Sequence, residues 1–149
     1  MKKQCINSLS CTLPALSVNE SVARSLVAAF VSLPDPTLEE LADIRCAVSE
    51  AVTNAIVHGY RGEAAGEIYI SVKLYDDRTV RIEVKDHGVG IADIEEARRP
   101  LFTTDESGER SGMGFAVMEA FTDDLRVFST LGHGTRVVLE KKLSKTEDG

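Results

Sequence analysis

Two segments in the middle of the chain alternate apolar and mostly polar residues with the period of a β-strand. In residues 68–74 and again in residues 80–84, every second residue is Ile, Val or Leu. Such alternation is typical of strands with one face on a core. Asp76, Asp77 and Arg78 lie between the two segments and favour a tight turn. The pattern therefore predicts a β-hairpin.

Upstream of this hairpin the apolar residues recur with helical spacing. A first helix is predicted over about residues 18–33, because Pro34 ends the pattern. A second is predicted over about residues 38–58. Thr37, followed three residues later by Glu40, is the sequence signature of a capping box at its start.

The rest of the chain supplies weaker signals, which still decide the fold class. They predict strands at 4–12, 125–130 and 135–143 and helices at 93–98 and 112–122. The sum is an α+β fold: a two-layer sandwich with helices on one face of a mixed, mainly antiparallel sheet of about five strands. The chain has 149 residues and shows no internal repeat or dividing linker, so we predict a single domain over residues 1–149.

The second helix has two different faces. At about 100° per residue, one face is a continuous apolar stripe, made of Leu41, Ile44, Val48, Ala51, Val52 and Ala55. Glu50, Asn54 and His58 follow each other at intervals of four residues on the other side. That side could simply be solvated, as in most amphipathic helices. Because Cys46, Ala47 and Val57 flank these polar residues, we favour a helix that covers a pocket.

Two residues of this polar face have suitable chemistry for a phosphoryl-transfer site. The neutral amide oxygen of Asn54 suits Mg²⁺, which prefers oxygen ligands and leaves several positions to water and phosphate. Glu50, one turn earlier, could accept a proton from an attacking hydroxyl.

Asp86 is a sharper signal. Counting by twos from Val80 places it in the inward phase of the second hairpin strand, after three apolar residues. An unpaired buried carboxylate costs several kcal/mol. Either Asp86 is a turn residue, or it accepts a hydrogen bond from a polar group such as the exocyclic amine of adenine.

Glycines follow at two places. Gly88 and Gly90 permit close approach and positive φ, although a lone Gly-x-Gly is weak evidence. Gly112, Met113 and Gly114 begin a predicted helix, whose first backbone amides could bind phosphate; incidental glycines are the alternative.

A long polar segment precedes the second glycine pair. Residues 100–111 lack periodicity, and loops of this length are usually functional or mobile. We interpret the segment as a lid with Arg110 directed at the phosphates, against the alternative of a solvated surface loop. The P-loop signature and the dinucleotide fingerprint are both absent from the sequence.

Composition narrows the choice of partners. A formal net charge of −7 argues against direct nucleic-acid binding. The three cysteines and three histidines have no metal-ligand spacing, and the odd cysteine count suits reduced thiols. No apolar run reaches transmembrane length, and Gln4, Asn7 and Ser8 after the first lysines do not form the apolar region expected of a signal peptide. We expect a cytoplasmic protein with no membrane contact.

The order of these motifs resembles the ATPase fold of gyrase-type topoisomerases, Hsp90, sensor histidine kinases and MutL (the Bergerat-type fold). On that resemblance Glu50 and Asn54 form the N box, and Gly88 and Gly90 follow Asp86 in the G1 box. Gly112 and Gly114 form the G2 box, and the hydroxyl of Thr135 supports the adenine-binding Asp.

Longer strings narrow the resemblance. Residues 49–60, 100–104 and 109–115 look closely like the small anti-sigma-factor serine kinases of sporulating bacteria, of the sporulation protein AB type that holds sigma F. The resemblance runs over about residues 18–140. It implies a homodimer that uses ATP and Mg²⁺, binds a sigma factor and phosphorylates a serine on an anti-anti-sigma protein.

The resemblance also implies roles for individual residues. Glu50 is the base, Asn54 holds Mg²⁺ and Asp86 reads adenine. The further nucleotide-binding positions that it implies, beyond the G1-box glycines and Thr135, are Thr103, Thr104, Arg110, Ser111, Gly112, Met113, Gly114 and Phe115. Arg24, with Glu20 one turn earlier, matches the family's contact with sigma.

Two positions depart from the family pattern: His87 replaces a usual Glu, and Asp105 a usual Lys. A sensor histidine kinase is disfavoured because about fifty residues before the N box leave no room for a helix with a phosphorylatable His. A stress-response sigma kinase and a non-catalytic nucleotide-gated binding module stay open as alternatives.

Overall fold

The computed structural model describes residues 2–61, 66–98 and 114–144. Within them lie five strands, which are β1 (Cys5–Pro14), β2 (Glu67–Tyr75), β3 (Thr79–Asp86), β4 (Asp124–Thr130) and β5 (Gly134–Lys142). The helices are α1 (Asn19–Val31), α2 (Leu38–Asn54), α3 (Ile94–Arg98) and α4 (Gly114–Ala120), and a π-helical turn (Ala55–Gly59) follows α2 directly.

The strands form one sheet in the order β1-β2-β3-β5-β4. The predicted hairpin is present, with Val72 opposite Ile82. The predicted fold class is confirmed, but all pairings between the described strands are antiparallel rather than mixed. The physical reason lies in β5. It pairs with both β3 and β4, and so separates two strands that run in the same direction and would otherwise form a parallel pair.

The capping box fixes the start of α2. Thr37 Oγ1 accepts from the Glu40 N–H at 3.0 Å, and the Glu40 carboxylate accepts from the Thr37 N–H at 2.9 Å. The prediction was wrong at the other end. The regular α-helix stops at Asn54, and the chain continues as a π-helical turn in which the Tyr60 N–H bonds to the Ala55 carbonyl. Single π-turns of this kind occur frequently at functional sites.

The core lies between α1, α2 and α4 on one side and the inner face of the sheet on the other. Alternate residues of β2 and β3 point into it, as the sequence pattern predicts. From the helices it includes Val27, Val31, Ile44, Val48, Val52 and Met118, each at most 1% exposed. Because α2 packs with this stripe on the sheet, its opposite side is left to form a site.

Candidate functional site

Asp86 ends β3 inside the protein. Its side chain is buried, with 4% of the residue exposed, so the inward phase predicted by counting along the strand is confirmed. The Gly88 N–H donates to Asp86 Oδ1 at 2.8 Å. Burial raises the pKa of the Asp86 carboxyl above its usual value, while the Gly88 and Thr135 amides and nearby His87 lower it. The second oxygen can accept a hydrogen bond from a ligand.

Two glycines let the backbone pack closely around this carboxyl, and with Asp86 they form what we call the Asp86 recess. A Cβ on Gly59 would lie 2.9 Å from the carboxyl carbon and both oxygens of Asp86. One on Gly88 would lie 1.9 Å from the Gly59 carbonyl oxygen. The Val89 N–H then bonds to that same oxygen at 2.8 Å, which joins the end of the π-helical turn to the loop after β3.

Alanine at Gly88 is therefore expected to destabilise the fold. The added methyl group would overlap a backbone oxygen, which cannot move aside cheaply, and overpacking typically costs about 1–3 kcal/mol. Thermal unfolding of Gly88→Ala measures the loss. Gly132→Ala is the matched control, because its Cβ would meet open space and only the positive φ of 84° is strained, at about 1 kcal/mol. Equal melting temperatures for Gly88→Ala and the wild type would contradict the packing described above.

Thr135 lies opposite Asp86 in the β3–β5 ladder, where it is buried. Its hydroxyl is 2.9 Å from Ser129 Oγ, which also donates to the Gly134 carbonyl at 3.0 Å. Ser129 Oγ in turn accepts from the Ile91 N–H at 2.7 Å. The Thr135 hydroxyl thus belongs to a network that fixes the loop after Gly90, and sequence reasoning did not find Ser129.

Gly90 has a φ of +76°, a conformation that suits glycine. A Cβ there would lie 2.3 Å from the Thr130 carbonyl oxygen. Its predicted freedom of conformation is used to bring the loop against the β4–β5 turn, close to the network of Ser129.

Tyr60 is a second residue that sequence reasoning missed as a site element. Its hydroxyl accepts from the His87 N–H at 2.8 Å and donates to the Glu67 carbonyl at 2.7 Å. The His87 ring packs edge-on against Tyr69, 5.2 Å between centroids. The phenol therefore holds the chain next to Asp86, and the sequence signal for it was its place at the end of the motif 49–60, just beyond the predicted helix.

Glu50 and Asn54 are half-buried on the face of α2 that does not pack on the sheet, while His58 is exposed. Gly114, the first residue of α4, lies beside them, since a Cβ there would be 3.4 Å from Glu50 Oε2. Burial, and then the negative charge of Glu20, raise the pKa of Glu50. The solvated-face alternative for Glu50 and Asn54 is thereby disfavoured.

Arg24 is only partly exposed on α1. Its side chain is 36% exposed, because the guanidinium folds back along α1 to Glu20, with 3.5 Å between Arg24 Nη1 and Glu20 Oε1. Glu20 also accepts from Ser49 Oγ at 2.5 Å, which connects α1 to α2 next to Glu50.

Several predicted positions lie outside the described residues, namely Thr103, Thr104, Arg110, Ser111, Gly112 and Met113. Phe115 is described and requires a correction. Its side chain is buried in the core, with 5% exposed, so only its backbone could contact a nucleotide.

The oxygen ligands that α2 offers suit a magnesium ion that is held mainly by water and substrate phosphates. Among the described residues, no three His, Cys, Asp or Glu side chains are grouped so that they could hold a metal ion. Mg²⁺ commonly takes only one or two protein oxygens and completes its shell with water and substrate phosphates. The Asn54 amide oxygen is compatible with that mode.

In the same described ranges, no helix is long and apolar enough to cross a membrane.

Comparison with known proteins places this chain in a family. Residues 13–141 match the histidine kinase-like ATPase domain. An anti-sigma F factor of Anoxybacillus flavithermus is 52% identical over 141 residues, covering 95% of this chain and 96% of the relative. Anti-sigma F factors of a Geobacillus species and of Priestia megaterium are 53% and 48% identical, with the same coverage.

Solved structures agree on the fold. The RsbU and RsbW domains of a Mycobacterium tuberculosis protein superpose with a TM-score of 0.68 at 24% identity, over 94% of this chain and 33% of that one. The histidine kinase domain of a blue-light activated kinase from Erythrobacter litoralis gives 0.55 at 20% identity, over 88% and 62%.

The chain belongs to the histidine kinase-like ATPase family and, within it, to the family of anti-sigma F factors. Membership implies that it binds ATP and has an ATP-using, kinase-like domain.

Proposed function

We propose that this protein is an ATP-dependent anti-sigma factor that binds a sigma factor of the F type and phosphorylates a serine on an anti-anti-sigma protein. The observation that carries the proposal is the buried Asp86 carboxyl, which lies against Gly59 at the end of the helix–turn unit that bears Glu50 and Asn54. The names of the relatives support sigma as the partner.

The Asp86 recess supports adenine as the base that is bound. The Gly88 N–H donates to one Asp86 oxygen, and the Thr135 amide also acts on the carboxylate. Because a carboxylate has about four acceptor positions, it can still accept from an exocyclic amine. Because Gly59 lacks a side chain, no Cβ from that residue lies against the Asp86 carboxyl, where it would be 2.9 Å away. Gly90 and Thr135 fix the loop behind it through the Ser129 network.

In this proposal Asn54 holds Mg²⁺, which when bound neutralises charge on the phosphates. Glu50 accepts the proton of the acceptor serine hydroxyl as that oxygen attacks the γ-phosphorus. Its raised pKa brings its basicity closer to that needed at neutral pH. Gly114 keeps the space beside Glu50 open, and Phe115 anchors the start of α4 in the core.

The remaining predicted positions complete the proposal. Ser111, Gly112 and Met113 would present backbone amides to phosphate, and Thr103, Thr104 and Arg110 would belong to a lid. We also propose that the protein is a homodimer and acts in the cytoplasm. We propose that it makes no direct contact with nucleic acid, and the net charge of −7 supports this last point.

Arg24→Ala is expected to weaken sigma binding by about 10-fold or more, the loss that follows when a charge-assisted hydrogen bond is removed. The measurement is capture of purified sigma F by the tagged protein with and without ATP-Mg²⁺. Arg45→Ala is the matched control, because Arg45 is exposed on α2 and carries the same charge. ATP affinity should be unchanged in both variants. Full sigma capture by Arg24→Ala would place the interface elsewhere.

A further inference from the structure

Glu20 is held between two donors on two different helices. On its own helix, Arg24 Nη1 lies 3.5 Å from Glu20 Oε1. From α2, Ser49 Oγ donates to that same oxygen at 2.5 Å. Glu20 is largely shielded, with 21% of its side chain exposed. One carboxylate oxygen therefore joins the cation of α1 to the residue directly before Glu50.

Arg24 is incompletely paired in this arrangement. Its Nε is buried and has no hydrogen-bond partner among the residues that the structure describes. A buried donor without a partner is costly. In addition, the 3.5 Å between Arg24 Nη1 and Glu20 Oε1 is longer than a good hydrogen bond. Because 36% of the Arg24 side chain is exposed, an acidic group from outside can reach the guanidinium, where it would compete with Glu20.

Glu50 responds to the charge of Glu20. That charge adds to burial in raising the pKa of Glu50. Two other titratable groups on α2 are Cys46 and Asp43. The pKa of the Cys46 thiol is raised by burial and by the negative charges of Glu50 and Asp43. Asp43 is itself paired with Lys141. From α4, Gly114 lies beside Glu50, since a Cβ there would be 3.4 Å from Glu50 Oε2. The titratable Glu119 of α4 pairs with Arg98 of α3.

We propose that Glu20 is a positioning residue for Glu50, and that the chain Arg24–Glu20–Ser49 couples acidic-partner docking on α1 to the phosphoryl-transfer site on α2. When a partner's carboxylate binds Arg24, the ion pair between Arg24 and Glu20 is weakened. The hydrogen bond that Ser49 donates to Glu20 changes as a result. The inference rests on the proposed function. It adds Glu20 and Ser49 to the residues that set the rate of phosphoryl transfer, apart from any contact of Glu20 with a docked partner.

The test is transfer of phosphate to the anti-anti-sigma protein, with kcat and KM measured separately. Ser49→Ala is expected to lower kcat on the order of 10-fold with little change in KM, because misplacement of a catalytic group lowers the rate of the bound complex. Ser49→Thr keeps the hydroxyl and should restore kcat. Ser25→Ala, an exposed serine of α1, is the matched control and should behave as wild type.

A double-mutant cycle decides whether Ser49 acts through Glu20. Glu20→Ala together with Ser49→Ala should be no slower in kcat than Glu20→Ala alone, because the two changes remove the same contact. Glu20→Gln should move the acid limb of the kcat profile to lower pH, since one negative charge near Glu50 is gone. Unchanged kcat in Ser49→Ala, or additive losses in the double variant, would overturn the coupling.

Failure of the coupling and failure of the proposed function give different results. If the wild type transfers phosphate and the Ser49 variants match it, only the coupling is wrong. If the wild type transfers nothing to any anti-anti-sigma protein, the proposed function is wrong, and with it the positioning role of Glu20.

Discussion

Glu50→Gln is expected to phosphorylate the anti-anti-sigma protein about 100-fold or more slowly than the wild type, the usual contribution of a general base. Glutamine keeps the shape and most of the hydrogen-bonding capacity of Glu50 but cannot take the proton from the serine hydroxyl. ATP and sigma binding should persist, because neither depends on that proton. Single-turnover transfer from labelled ATP measures the effect.

The control for this prediction is Glu39→Gln. Glu39 is exposed in the first turn of the same helix, so its replacement removes the same charge far from the site. Its transfer rate should equal that of the wild type. A wild-type rate in Glu50→Gln would reduce Glu50 to a polar residue of the helix surface.

The dependence of the rate on pH follows from the same carboxylate. Burial and the negative charge of Glu20 raise the pKa of Glu50, so its basic form predominates from a higher pH than for an ordinary glutamate. The wild-type rate should therefore rise with pH through that raised pKa. In Glu50→Gln this limb should be missing.

Asp86→Asn is expected to weaken ATP binding by about 10- to 100-fold, the cost of an impaired buried hydrogen bond. Asp86 Oδ1 already accepts from the Gly88 N–H. In the asparagine variant the amide nitrogen would take the place of the free oxygen, so a donor would face the exocyclic amine of adenine. Calorimetry with ATP and with GTP measures the two affinities. The ratio of ATP affinity to GTP affinity should be smaller in the variant than in the wild type.

The stability of this variant separates a lost ligand contact from a damaged fold. Because the folded protein raises the pKa of Asp86, the ligand-free wild type loses stability as pH rises from the unfolded to the folded pKa. Asparagine removes that loss. The ligand-free variant should therefore melt no lower than the wild type at neutral pH. An unchanged ATP affinity would remove Asp86 from the site.

The sequence predicts those parts of the site that depend on periodicity. Alternation along β3 places Asp86 inside, and the interval of four residues places Glu50 and Asn54 on one side of α2, because both follow from backbone geometry alone. The capping box is similarly local. These features need no knowledge of what packs against them.

Contacts between distant parts of the chain could not be predicted in the same way. The hydrogen bonds of Tyr60 to His87 and of Ser129 to Ile91 depend on how the loops meet at the end of the sheet. The bond between Ser49 and Glu20 depends on how α1 packs on α2. The antiparallel order also depends on β5 lying between β3 and β4, which no local pattern records.

Transfer of phosphate from ATP to a serine tests the central claim most directly. The purified protein is mixed with labelled ATP, Mg²⁺ and the anti-anti-sigma protein, and the modified residue is located by mass spectrometry. We expect one phosphoserine on the anti-anti-sigma protein, formed by the wild type, lost when Mg²⁺ is chelated and strongly reduced in Glu50→Gln. No phosphoserine with the wild-type protein, despite ATP binding, would contradict the kinase and leave a nucleotide-gated binding module.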